Sequence, residues 1–241
     1  MTDPVLGALP PEWLARANRL ATVAALLSTT VHEANNALQV ISGSAEMLTP
    51  DAAPDIIARR AAAIGSQSLR ASALLAELTG FARADAPDRQ SVDLAAVAQR
   101  ALSMRQHTFA KLKIRTQVDA GLVPAHALAR PWAVLQIVLN LLLNAERAVA
   151  GRPDPQIVFT ASISGGTSEL TIEDSGPGID PAVIPTLFHA STAAPEPAGG
   201  LGIGLSVARW LAEGDGGTLV HSSAGKQLQG GAAFTLALPS R

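Results

Sequence analysis

Residues 140–148 read Asn140-Leu141-Leu142-Leu143-Asn144-Ala145-Glu146-Arg147-Ala148, which sets two asparagines four positions apart in an apolar run. On a helix, such side chains lie about 40° apart around the axis and share one face. Buried amides cost free energy unless they are hydrogen-bonded, so this face must meet polar atoms. An amide oxygen suits Mg²⁺, which bridges phosphates, and Arg147 lies within reach of a phosphate. Taken alone, the segment equally fits a satisfied polar pair between helices.

Two glycine-containing segments follow. Asp174-Ser175-Gly176-Pro177-Gly178-Ile179 ends a predicted strand, and its acid can accept a hydrogen bond from the exocyclic amine of a planar ligand, although alone it predicts an ordinary turn. Gly199-Gly200-Leu201-Gly202-Ile203-Gly204-Leu205 opens a helix predicted at Ser206–Glu213, where backbone amides can bind phosphate. A dinucleotide-binding Rossmann domain needs a strand directly before the glycines. The loop at 193–198 takes that place and excludes the Rossmann domain.

The first half carries an apolar repeat with spacings of four and three, the pattern of a coiled-coil seam. This seam consists of Leu20, Ala24, Leu27, Val31, Ala34, Leu38, Ile41, Ala45 and Leu48, and a shorter repeat follows at Ile57, Ala61, Ile64, Ser68, Ala71, Leu75 and Leu78. Residues 49–55, with two prolines, predict a turn between antiparallel helices. One hairpin has little core, so we predict a homodimer with a four-helix bundle. Packing of the hairpin against the second half is the alternative.

A polar break at residues 84–90 predicts a domain boundary. The predicted domains are a helical hairpin at 11–84 and an α/β domain at 91–241. Within the second domain, the pattern predicts helices at Asp93–Gln106 and Pro131–Ala150 and strands at Ile157–Ile163, Glu169–Asp174 and Ala233–Leu238. Long helices beside hairpin-forming strands predict an α/β sandwich rather than a parallel sheet.

Composition excludes several classes of protein. The formal net charge of −2 and the pI near 6.2 argue against nucleic-acid or anionic-membrane partners. The chain has no cysteine, which excludes disulfides and thiolate chemistry. The most apolar run, Ala133 to Leu143, is interrupted by Gln136 and Asn140, and the first residues do not resemble a signal peptide. We therefore expect a cytoplasmic protein without a membrane span. Because about ten residues precede the first helical pattern, we also expect a separate sensor protein.

In order and spacing, the three motifs resemble the catalytic ATP-binding domain of histidine kinases. That domain has the ATPase fold shared with type II topoisomerases, mismatch-repair ATPases and a heat-shock chaperone. Asn140–Ala148 resembles the N box, Asp174–Ile179 the first glycine box and Gly200–Leu205 the second. Leu187-Phe188 resembles the phenylalanine motif before the ATP lid, and Phe234–Pro239 resembles the closing strand.

The first half of the chain contains a motif that resembles the phosphoacceptor segment of the same family. Val31-His32-Glu33-Ala34-Asn35-Asn36-Ala37-Leu38 resembles the H box of the dimerisation and phosphotransfer domain. Because Val31 and Ala34 face the predicted seam, we expect His32 to point outward. The resemblance implies that His32 accepts the phosphoryl group and that Glu33 takes or orients its ring proton. Asn36, one turn later, is expected either to position water for dephosphorylation or to be a solvated surface residue. The other histidines, at positions 107, 126, 189 and 221, are expected to be structural or on the surface.

The resemblance also implies ATP and Mg²⁺ as cofactors. Asn144 would hold Mg²⁺, Asp174 would accept a hydrogen bond from the adenine amine, and Arg147 would offset phosphate charge. The remaining predicted nucleotide-binding residues are Asn140, Gly176, Gly178, Ile179, Gly200, Gly202, Gly204 and Leu205. Departures from the family pattern are Ala37 for a proline, Asp215 for a histidine, Ala232 for a threonine, and a short lid without lysine at His189–Ala198.

The implied function is a two-component histidine kinase. It would phosphorylate His32 from ATP, pass the phosphoryl group to an aspartate on the receiver domain of a response regulator, and act as a phosphatase through Asn36. One alternative is a histidine phosphotransferase relay module with an inactive ATP domain. Another is an ATPase that drives dimer rearrangement. ATP-hydrolysing members carry a glutamate where Asn140 stands, and an amide cannot act as a general base, which disfavours hydrolysis.

Overall fold

The computed structural model describes residues 10–83, 88–121, 124–189, 202–222, 228 and 230–241. Its α-helices are α1 (Pro11–Glu46), α2 (Pro54–Arg83), α3 (Leu94–Ser103), α4 (Gln106–Leu112), α5 (Pro131–Val149) and α6 (Gly204–Gly214). Its strands are β1 (Gln90–Asp93), β2 (Arg115–Asp119), β3 (His126–Ala129), β4 (Gln156–Ser164), β5 (Thr167–Asp174), β6 (Thr218–Ser222) and β7 (Ala233–Pro239). The chain forms two compact units, Val23–Ala84 and Met1–Thr22 together with Asp85–Arg241.

The predicted helical hairpin of α1 and α2 is confirmed, and the first unit contains α2 and the part of α1 from Val23 onward. Its buried side chains form a narrow stripe that includes Leu26, Ala34, Ala37, Leu78 and Phe81. The predicted seam mostly lies beside this stripe. In the single chain, the side chains of Leu27, Val31 and Leu38 remain 46%, 44% and 53% exposed. One hairpin therefore leaves most of its heptad seam without an apolar partner.

The second unit contains the predicted α/β sandwich, which is also confirmed. A five-stranded sheet has the order β2-β4-β5-β7-β6, with β2 and β4 parallel and the other neighbours antiparallel. Helices α3, α5 and α6 form a layer on one face of this sheet, and β1 pairs antiparallel with β3 in a second, two-stranded sheet. The core between the layers includes Leu139, Leu142, Phe159, Ile172 and Leu211.

The helix predicted at Asp93–Gln106 is too long. Asp93 caps α3 by accepting hydrogen bonds from two backbone amides, and α3 ends at Ser103. Arg105 leaves the helical conformation, with φ −117° and ψ 1°, immediately before α4 begins. Its buried guanidinium is paired with Glu146 of α5, with Nε 2.9 Å from Oε2. This break coincides with a contact between residues 41 positions apart, which local periodicity cannot reveal.

Helix α5 is long and apolar enough to cross a membrane by length and composition alone. Most of it is buried within its own unit, however, and Val134, Ile137 and Val138 have no exposed surface. The core helix of a folded domain meets the same criteria, so this composition is weak evidence for a span. In this fold, α5 is the central helix of the layer that covers the sheet.

Candidate functional site

Asp174 ends β5 as a buried carboxylate with one side already occupied. Its Oδ1 accepts hydrogen bonds from the backbone amides of Gly176 at 2.8 Å and Ala232 at 3.4 Å. Its Oδ2 accepts none from the residues that the structure describes. Burial raises the pKa of Asp174, against the opposing effects of these two amides and the charge of His221. The side chain is thus fixed in orientation, with one oxygen left for a ligand's donor.

Glycines are required around Asp174 because the backbone segments there lie too close together for a Cβ atom. A Cβ at Gly176 would lie 2.6 Å from Asp174 Oδ1 and 2.8 Å from Ala148 Cβ. Gly178 has φ +76°, and its Cβ would lie 3.2 Å from the carbonyl oxygen of Gly231. Gly231, which sequence reasoning missed, packs its own Cα against the carbonyl of Asp174. The predicted glycines thus allow three backbone segments to meet at the carboxylate.

Aromatic side chains lie on the same face of the sheet. The strand register sets His221 opposite Phe234 and Phe234 opposite Ile172, two residues before Asp174. The rings of His221 and Phe234 are 5.4 Å apart, and Phe188 meets Phe234 edge-on at 6.3 Å. Burial lowers the pKa of His221, partly offset by the charge of Asp174. An oriented carboxylate beside such rings can bind a flat heterocycle that carries an amine.

The two asparagines of α5 have different environments. Asn140 is buried, and its Nδ2 donates to the carbonyl oxygen of Gly204 at 3.0 Å. Asn144 is only half-buried, and its amide makes no hydrogen bond within the described residues. Asn140 therefore joins α5 to the start of α6, whereas Asn144 keeps its amide oxygen for a ligand. Arg147 lies exposed on the same helix.

The second glycine segment leads into α6. Gly202 has φ +66°, which allows the turn that precedes the helix, and α6 begins at Gly204. No side chain caps this helix start, so its first amides keep the orientation that binds anions. Ile179 and Leu205 are half-buried. Gly200 and the lid after His189 lie outside the described residues.

The predicted phosphoacceptor, His32, lies on the hairpin. His32 and Asn36 are both exposed on α1, one helical turn apart. Glu33 is buried, with its Oε2 3.5 Å from Nη2 of Arg70 on α2. The sequence alone did not identify Arg70 as the partner of Glu33, because the two residues are 37 positions apart.

Three further residues near the N box were missed: Asn18 and Thr22 on α1, and Gln136 on α5. All three are buried and hydrogen-bonded to one another. The sequence contained one signal, because Gln136 interrupts an apolar run four residues before Asn140 and therefore shares its helix face. The partners on α1 could not be found from spacing.

Comparison with known families agrees with this geometry. Residues 130–241 match the family described as histidine kinase-, DNA gyrase B- and HSP90-like ATPase. These residues resemble an ATPase domain of that family. The match includes both asparagines of α5, the first glycine segment with Asp174, and the described part of the second.

Similar proteins extend the likeness to the hairpin. The C4-dicarboxylate transport sensor protein DctS of Rhodobacter capsulatus is 31% identical over 240 residues, covering 95% of this chain and 35% of DctS. The sensor histidine kinase ZraS of Klebsiella oxytoca is 30% identical over 232 residues, covering 95% of this chain and 48% of ZraS. The structure of the mycobacterial sensor histidine kinase MprB, at 27% identity and a TM-score of 0.52, aligns with 64% of this chain and 98% of the chain in that structure.

The predicted resemblance to a histidine kinase transmitter is therefore confirmed. The chain spans less than half the length of these two curated relatives, 35% and 48%. With both relatives the likeness covers 95% of this chain, so it includes the hairpin as well as residues 130–241.

Proposed function

We propose that this chain is the transmitter of a two-component histidine kinase, which binds ATP in its ATPase domain and phosphorylates His32. The observation that carries the proposal is the fixed carboxylate of Asp174, whose Oδ2 remains available after two backbone amides have oriented Oδ1. Such an acceptor selects a base with an exocyclic amine, as in adenine. The exposed His32 on the preceding hairpin supplies a nucleophile.

Asn144, Arg147 and the amides at the start of α6 would bind the phosphates. Among the described residues, no group of three or more His, Asp or Glu side chains could hold a metal ion. Mg²⁺ would therefore be held by the amide of Asn144 together with the phosphates of ATP, an oxygen-rich set that suits this ion. When bound, Mg²⁺ would offset the negative charge of the phosphates.

The proposed reaction transfers one phosphoryl group. A nitrogen of the His32 ring attacks the γ-phosphorus of ATP, the bond from that phosphorus to the bridging oxygen breaks, and ADP leaves with that oxygen. The ring proton passes to Glu33, the next residue along α1, whose buried carboxylate is paired with Arg70. Most of the catalysis then comes from positioning and from charge stabilisation by the nucleotide site.

Transfer to histidine is favoured over hydrolysis by the environment of Asn140. An amide cannot remove a proton from water, and its Nδ2 is already bonded to Gly204. No side chain at this position is thus available as a general base for hydrolysis. No feature of the described residues favours the inactive relay module over this activity.

We further propose a homodimer in the cytoplasm that serves a response regulator. The exposed seam at Leu27, Val31 and Leu38 is apolar and continuous along one helix, and a second copy of the hairpin offers the matching seam. The phosphoryl group of His32 would pass to an aspartate of the regulator's receiver domain.

The test is incubation with γ-labelled ATP and Mg²⁺, followed by treatment of the labelled protein with acid and with base. A phosphohistidine loses its label in acid and keeps it in base. A label that is stable in acid indicates a phosphorylated hydroxyl group and contradicts the proposal. Rapid release of inorganic phosphate without labelled protein indicates an ATPase instead.

A further inference from the structure

A buried polar cluster joins the first turns of α1 to the nucleotide site. It consists of Asn18 and Thr22 on α1 and Gln136 and Asn140 on α5, with exposed fractions of 6%, 3%, 1% and 7%. The surrounding face of α5 is otherwise apolar. Four polar side chains in such an interface lose hydration and are tolerated only when they bond to one another.

The hydrogen bonds of the cluster run from helix to helix. Nε2 of Gln136 lies 2.6 Å from Asn18 Oδ1, 3.2 Å from Thr22 Oγ1 and 3.3 Å from Asn140 Oδ1. The hydroxyl of Thr22 lies 3.4 Å from Asn140 Oδ1 and 2.9 Å from the carbonyl oxygen of Asn18. The two hydrogens of the Gln136 amide are thus shared among acceptors on both helices. Gln136 is the central donor of the cluster.

The cluster ends on a residue of the second glycine segment. Asn140 Oδ1 receives the donors of Gln136 and Thr22, and Asn140 Nδ2 donates to the carbonyl oxygen of Gly204, where α6 begins. An amide is planar, so fixing its oxygen also fixes the direction of its nitrogen. The first turns of α1 therefore help to orient the start of α6, whose amides face the proposed phosphates.

We infer that Gln136 and Thr22 are positioning residues for Asn140, and that through them the first turns of α1 are coupled to nucleotide binding. The inference rests on the nucleotide site of the proposed function. Such coupling is reciprocal. If the contact of α1 with Asn140 favours nucleotide binding, bound nucleotide must favour that contact by the same factor. Helix α1 continues to Glu46 and carries His32 ten residues after Thr22, so such coupling would act on the helix that bears the phosphoacceptor.

Thr22→Val tests the coupling because valine keeps the shape of threonine and removes only the hydroxyl. The probe is a non-hydrolysable ATP analogue with Mg²⁺, titrated calorimetrically into the full chain. We expect Thr22→Val to weaken binding about fivefold, since a typical hydrogen bond contributes about 1 kcal/mol. Gln136→Met, which removes the central donor, should weaken it further. Thr22→Ser, which keeps the hydroxyl, should bind like wild type.

Thr30→Val is the matched control. Thr30 is buried on the same helix and makes the same kind of bond to the carbonyl four residues earlier, Leu26 at 3.1 Å, with no link to Asn140. Thr30→Val should therefore leave the affinity for the ATP analogue unchanged. As a second readout, hydrogen exchange of residues 11–22 should slow when the analogue binds to wild type and should slow less in Thr22→Val.

The outcomes separate the two proposals. Wild-type affinity in Thr22→Val, or an equal loss in Thr30→Val or Thr22→Ser, overturns the coupling while the proposed function stands. A wild-type chain that binds no nucleotide overturns both. The coupling is supported if only Thr22→Val and Gln136→Met weaken binding. The effect on hydrogen exchange should then be confined to residues 11–22 in the first half of α1.

Discussion

At the scale of single residues, the proposed role of Asp174 in nucleotide binding has a cost in stability. Burial disfavours its charged form, and that form is the stronger acceptor for a hydrogen bond from the proposed adenine amine. Asp174→Asn removes the charge and replaces one acceptor oxygen with a donor group. We expect the variant to unfold at a slightly higher temperature at neutral pH and to lose most of its preference for ATP over GTP. Competition of ATP and GTP against a fluorescent nucleotide measures the preference, and a preserved preference would exclude the proposed role.

The raised pKa of Asp174 gives a second test. As the pH falls, the Asp174 carboxylate takes up a proton at a higher pH in the folded protein than in the unfolded chain, where its ordinary pKa is 3.8. The cost of the buried charge is therefore present at neutral pH and is relieved as the pH falls through the folded-state pKa. Whereas stability improves as the pH falls through this pKa, ATP binding should weaken over the same pH interval. Titrations at several pH values above 3.8 should show this decline in wild type but not in Asp174→Asn, and a decline of equal size in both would assign it to another group.

Asn36 allows the forward and reverse reactions to be separated. It lies one turn after His32 on the exposed side of α1, where an amide can position water for attack on the regulator's phosphoaspartate. Asn36→Ala should keep autophosphorylation and lose acceleration of regulator dephosphorylation. Decay of the phosphorylated regulator is the measurement. The control is Asn35→Ala, an exposed neighbour about 100° away around the helix, which should behave like wild type. Equal acceleration by both variants would leave Asn36 without this role.

At the scale of elements, the exposed seam of the hairpin is the proposed dimer interface. A glutamate at Leu38 would place an unpaired charge in the proposed interface, which costs several kcal/mol. Leu38→Glu should therefore be a monomer by sedimentation and keep its helical circular dichroism, whereas wild type should be a dimer. Gln39→Glu, the same charge on the exposed neighbour, should remain a dimer. A monomeric wild type with folded helices would contradict the bundle.

Elements with strong periodicity were predictable from sequence, and weakly patterned ones were not. Helices α1, α2 and α5 and strands β4, β5 and β7 carry long apolar patterns, and each was expected within a few residues. Strand β2 is polar and mostly exposed at the edge of the sheet, so it has no alternation to detect. The short strands β1, β3 and β6 are formed by pairing with distant segments.

The candidate site divides in the same way. Asp174, Gly176 and Asn144 could be assigned from local motifs, because the chemistry of each lies in its own segment. The partners that orient them, such as the amide of Ala232 on Asp174 and the hydroxyl of Thr22 on Asn140, come from residues 58 and 118 positions away. Such contacts exist only in the folded chain.

At the scale of the whole molecule, the proposed function joins the two units by one chemical step. The ATPase-like unit would supply an activated phosphoryl group, and the hairpin would supply the nitrogen that accepts it. The two units are therefore expected to fail independently: loss of the nucleotide site abolishes labelling and binding together, whereas loss of His32 abolishes labelling alone.

The most direct measurement is transfer of label from γ-labelled ATP to wild type, His32→Gln and the control His126→Gln, which alters another exposed histidine. Calorimetric binding of a non-hydrolysable ATP analogue is measured for each in parallel. Wild type and His126→Gln should acquire an acid-labile label, and His32→Gln should acquire none while it binds the analogue with unchanged affinity. Labelling that survives in His32→Gln would contradict the account.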